Sequence, residues 1–206
     1  MGNMWRTGLA TATVAAMLLV QGGAREASAK DLSDKSVKVL MDYAWAVLPS
    51  KFTMPDRRVV EVDKKTQKKQ TIVPPEVARE VIKTGYHSAQ AQLCEMWEDQ
   101  IQNYDAMIRI QRAKHNWSDQ QLLYITTLHR MTIHMAAGKL KVTEKKGELL
   151  VSLEPIEPSK DTCNDEKRAK VKAAVAENIK AAIAISPPKK KAAGAANGIV
   201  PASEKK

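Results

Sequence analysis

Apolar residues recur along this chain with two different periods, and the switches between them mark out the elements. Across residues 32–48, Val37, Leu40, Met41, Ala44 and Leu48 fall at steps of three and four, the stripe of an amphipathic helix. Ser33 stands at the N-cap position, and Pro49 stops the helix. The period then shortens. Residues 59–62 (VVEV) and 70–73 (QTIV) are β-prone runs on either side of a polar, lysine-rich turn at residues 63–69, so a first β-hairpin is expected across residues 57–73.

Helical spacing returns after Pro74-Pro75, since proline is tolerated in a first turn. Val77, Val81, Ile82, Ala89, Leu93 and Met96 mark the buried side of this second helix. Gly85 and Ser88 lie close to that side, where a neighbouring helix can approach. A third helix is predicted over residues 97–114 with Ile101, Tyr104 and Ile108 facing inward. Trp117-Ser118-Asp119-Gln120-Gln121-Leu122 has the capping-box pattern, with Ser118 and Gln121 as the reciprocal pair and Trp117 and Leu122 at the staple positions. The fourth helix then runs to about Ala137, and Gly138 fits its C-terminal cap. Its apolar residues are spread widely around the axis, as in a helix covered on most sides.

A second hairpin is read across residues 139–153, turning at Lys146-Gly147. A fifth helix follows over residues 164–185, striped by Val171, Val175, Ile179, Ala182 and Ile183. Asp165 and Glu166 in its first turn have the sign favoured by the helix dipole. The fold class is therefore mainly α, of the α+β type, with about five helices and two short β-hairpins. Residues 30–185 read as a single mostly helical domain. Residues 186–206 bring Pro187-Pro188, Lys189 to Lys191 and then small polar residues. They are expected to form a disordered basic tail, because nothing there buries enough surface to offset ordering.

The N-terminus changes where this domain is expected to work. A short basic segment is followed by a twelve-residue apolar run at residues 9–20, the helix-breaking Gln21-Gly22-Gly23 and the small-residue site Ala27-Ser28-Ala29. That order is a secretory signal peptide, residues 1–29, with cleavage after Ala29; a cut after Ala24 is the alternative. The run is too short to span a bilayer, so no transmembrane span is expected after cleavage. The predicted location is the periplasm or outside the cell. Export bears on the two cysteines, Cys94 and Cys163, since an even count in an oxidising compartment favours a disulfide.

Charge narrows the partners. The chain carries a formal net charge of +10, with 33 Lys and Arg against 23 Asp and Glu. Arg57, Arg58, Lys64, Lys65, Lys68 and Lys69 cluster around the first hairpin with only Glu61 and Asp63 among them, and are the candidate residues for binding an anionic partner. Such partners are an envelope protein with an acidic face, anionic lipid or a cell-wall polymer. Nucleic acid is disfavoured by export and by the lack of an aromatic-rich binding strand.

Candidate chemistry is sparse. No G-x-S-x-G elbow, phosphate-cradling glycine loop, H-E-x-x-H or C-x-x-C-H pattern occurs, so no catalytic residue and no cofactor is assigned. His129 and His134 are five residues apart on one helix and point about 140° apart, which argues against a shared metal. His134 stands beside Met135 and three residues after Met131, a set whose softness would suit copper. The expectation is thus an exported, non-enzymatic accessory or interaction protein. The alternatives are a small-ligand or copper-binding periplasmic protein, or an enzyme of unrecognised type.

Overall fold

The computed structural model describes residues 32–54, 57–145, 148–158 and 163–185. The expected signal peptide, the Lys146-Gly147 turn and the C-terminal tail lie outside the described residues. The elements are α1 (Asp34–Val47), β1 (Lys51–Thr53), β2 (Val59–Glu61), α2 (Lys68–Thr71), α3 (Pro75–Leu93), α4 (Trp97–Lys114), α5 (Asp119–Ala136), β3 (Leu140–Lys145), β4 (Glu148–Leu153) and α6 (Asp165–Ile185). Among the described residues the chain is mainly helical, and the strands form two separate antiparallel pairs, β1 with β2 and β3 with β4. Among the described residues no helix is long and apolar enough to cross a membrane.

Local sequence accounts for several boundaries. Ser33 caps α1 by accepting from the Ser36 amide at 3.1 Å. Ser118 and Gln121 form both halves of the capping box on α5, at 3.2 and 3.0 Å. Gly138 follows α5 with φ +69°, the left-handed geometry that ends the helix.

The first hairpin differs from the expectation. β2 pairs with β1, in the register Phe52 opposite Val60, whereas residues 70–73 end the short helix α2 and the turn after it. The Asp63 side chain explains this. It accepts from the Lys65 amide at 2.9 Å and from the Thr66 hydroxyl at 2.6 Å, which coils residues 63–67 into a helical turn that feeds α2 and cannot return as a strand.

The main core lies between α1, α3 and α5, and α5 is its centre: Tyr124, Ile125, Leu128 and Met131 are fully buried. A β-carbon added at Gly85 would stand 2.8 Å from the Thr132 Cβ, so α3 and α5 approach too closely there for any side chain. On the opposite side of α3, α4 and α6 pack around small residues, with Ala106, Ile110 and Ala182 in one cluster and Ala91, Val171 and Val175 in another. Cys94, at the end of α3, is bonded to Cys163, just before α6, with their Cα atoms 5.3 Å apart.

The orientation of α4 is a second difference. Its buried residues are Asn103, Ala106, Met107, Ile110 and Gln111, while Ile101 is 61% exposed and Tyr104 and Ile108 are half-buried. Two helices, α3 and α6, compete for α4, and the face they share is partly polar. Tyr104 and Ile108 are left to line an opening.

Candidate binding cleft

That opening is a cleft of about 510 Å³ between the first hairpin, α4 and α5. Tyr104, Ile108 and Arg112 face it from α4 at four-residue steps, and Leu122, Thr126 and Arg130 face it from α5 with the same spacing. Phe52 and Met54 close one side, and Phe52, the only phenylalanine in the chain, stays 40% exposed. The Tyr104 hydroxyl meets the Thr126 hydroxyl at 3.1 Å across the floor.

The link between α4 and α5 is short, and the Tyr104–Thr126 contact sets the two helices antiparallel. Arg112 therefore lies about 12 Å along α4 from this contact and Arg130 about 6 Å along α5 in the opposite direction. Both arginines are exposed, and among the described residues no carboxylate lines the cleft. The lining is thus mainly apolar, with the Tyr104–Thr126 hydroxyl pair in its floor, and cationic towards both ends.

The six candidate cations of the hairpin region divide into two groups. Arg58 forms an ion pair with Asp119 at the start of α5. Lys68 reaches Asp42 at 3.2 Å, where Lys38 also binds at 2.9 Å, and Lys64 donates to the Ala46 carbonyl at 2.8 Å. Burial pushes the Asp42 carboxyl up, but hydrogen bonds from Lys38 and Lys68 outweigh it and hold the group below its ordinary range. Arg57, Lys65 and Lys69 are exposed, and their side chains have no ion-pair partner among the described residues. Arg57 occupies a left-handed conformation, φ +68°, in the loop between β1 and β2, and its amide donates to the carbonyl of Met54, a lining residue of the cleft.

Sequence reasoning missed Arg112 and Arg130. Their signal was the four-residue spacing itself: Arg112 continues the Tyr104–Ile108 stripe, which reads as core-facing until the packing of α4 is known, and Arg130 stands at four-residue steps from Leu122 and Thr126.

Two other regions hold chemistry. A polar recess of about 570 Å³ between α3, α4 and α6 includes Glu80, Lys83, His87, Asn103, Gln111, Lys114 and Glu177. Glu80 accepts from Gln111 and Lys114 there, at 3.1 and 3.2 Å, and the opposite charges balance within the recess. From its wall, where Asn103 and the half-buried Asn178 stand, a hydrogen-bond ladder runs inward. Asn178 donates to the Asn103 side chain at 2.9 Å, Asn103 to Ser88 at 2.9 Å, and Ser88 meets His129 Nε2 at 3.0 Å. A serine hydroxyl on an imidazole is one part of an acyl-transfer site. Here Ser88 and His129 are 0 and 3% exposed and line no cavity among the described residues, so the pair is sealed from substrate, and the ladder ties four helices together.

His134 lies elsewhere. Its Nδ1 donates to the Glu154 carbonyl at 2.9 Å, against the second hairpin, whereas Met131 is sealed in the core. Burial lowers the His134 pKa, the Glu154 hydrogen bond opposes that, and the charge of Arg130 adds to the lowering. Among the described residues, no three His, Cys, Asp or Glu side chains are placed to hold a metal ion.

No protein-family profile, curated protein or solved structure matches this chain. The functional reading therefore rests on the residues themselves.

Proposed function

We propose that this is an exported, non-catalytic binding protein that recognises an anionic partner of the cell envelope through the first hairpin and the adjoining cleft. The observation that carries the reading is the charge of that cleft: among the described residues its ionic lining groups are Arg112 and Arg130 alone, and exposed Arg57 lies next to it. A mainly apolar floor with cations at its rim is complementary to an anion that also presents hydrocarbon. The chain's net charge of +10 supplies the long-range attraction. Export is supported by the order of basic, apolar and small-residue segments in residues 1–29.

The test is co-sedimentation with vesicles of phosphatidylglycerol and of phosphatidylcholine over a range of salt. Binding is expected to the anionic vesicles only and to weaken as salt rises. Each exposed cation is worth about 1 kcal/mol near an anionic surface, so replacing Arg57, Lys65 and Lys69 together by Gln lowers binding by one to two orders of magnitude. Equal binding to both vesicles, or binding insensitive to salt, contradicts the reading. Export is tested separately by the N-terminus of protein recovered from the envelope fraction, expected at Lys30.

A further inference from the structure

We infer that the cleft between the first hairpin, α4 and α5 is a site for a single-chain amphiphile with an anionic head, an acyl carboxylate being the simplest member. The inference rests on the anionic-partner reading for the sign of the ligand and goes beyond it in naming an individual molecule and its seat.

Three observations lead to this ligand class. The volume, about 510 Å³, lies in the range of small-molecule sites and is lined by Val47, Phe52, Met54, Tyr104, Ile108 and Leu122. This apolar surface runs as a stripe between two antiparallel helices, which suits a linear hydrocarbon better than a compact ring. Most of the hydroxyl protons in the floor are already used: Tyr104 and Thr126 share one hydrogen bond, which leaves a single donor between them, and Thr127 donates to the Leu123 carbonyl at 2.8 Å. A polar ligand body would find one hydroxyl donor there, whereas a carboxylate at an end meets an arginine in a charge-assisted contact. The tail of the chain itself, with Lys189 to Lys191, has the wrong sign to fill a cleft ended by arginines.

The experiment is calorimetric titration of the full protein with dodecanoate and with dodecanol, both kept below their aggregation limits. Saturable one-to-one binding of dodecanoate is expected. Decanoate should bind more weakly, by about threefold to fourfold for each methylene removed. The double variant R112Q/R130Q should lose tenfold or more for dodecanoate and less than threefold for dodecanol. A second variant, Ile108→Asp, should abolish both, with circular dichroism checking that it folds. Absence of saturable binding, equal affinity for dodecanol, or an unaffected arginine double variant overturns the inference. Vesicle binding without dodecanoate binding removes this site and leaves the surface reading intact, while dodecanoate binding without vesicle binding does the reverse.

Discussion

His129 sits at the end of the buried ladder as a neutral imidazole, because burial pushes its pKa down to about 4 from an ordinary 6.5. The unfolded chain therefore binds a proton that the folded chain refuses between those values. The contribution of His129 to stability is complete above pH 6.5 and is lost as pH falls through 4, by about 3 kcal/mol in all. Urea unfolding at a series of pH values should show the midpoint falling over that window, and nuclear magnetic resonance should show the His129 ring still neutral at pH 5. A His129 ring that titrates near 6.5 contradicts the ladder. The five-residue spacing of His129 and His134 already separated their roles, and the structure keeps them apart, one on Ser88 and the other on Glu154. The ladder itself was not legible. Its partners lie 15 to 75 residues apart in the chain, and polar side chains such as Asn103 show no periodicity that marks them as buried.

Helix termini were the most legible elements, since a cap is a local interaction. The Ser118 box and Gly138 follow directly from residue type, whereas the end of α3 carries the same geometry without its usual residue. Glu95 takes a left-handed φ of +58°, its amide reaches the Gln92 carbonyl at 3.1 Å, and the Met96 amide reaches Ala91 at 2.9 Å. A side chain in that conformation costs about 1 kcal/mol that glycine does not. Glu95→Gly should accordingly raise the melting temperature by several degrees, as measured by calorimetry, and a lowered melting temperature would refute the cap assignment. The first hairpin was the least legible element. Its true partner strand, Lys51–Thr53, is only three residues long, too short for alternation to register, and the more β-prone run at residues 70–73 was drawn into a turn by Asp63. The cleft was hidden for a related reason. Tyr104 and Ile108 have the spacing of core residues, and only the competition of α3 and α6 for the other face of α4 leaves them open.

At the scale of the molecule, α6 is attached by small clusters and by the Cys94–Cys163 bond, which closes a loop across a sequence separation of 69. The even count and expected location of the two cysteines pointed to this bond, and the structure joins them. Chain entropy gives a loop of this length about 4 kcal/mol. Replacing both cysteines by serine should lower the unfolding free energy by up to that amount and should increase amide exchange in α6 first. Uniform exchange throughout the chain would mean that α6 is not the weak unit. The cleft lies on the other side of α4 from α6, so this loss should leave ligand binding unchanged while the protein remains folded.

The central claim is that the arginine-ended cleft is where this protein meets an anion. Amide shift mapping during titration of the isotope-labelled protein with dodecanoate tests it most directly. The account predicts saturable shifts confined to Phe52, Met54 and the Tyr104–Arg112 and Leu122–Arg130 faces. Shifts centred on the polar recess around Glu80 and Asn178, or scattered over every lysine, would contradict it.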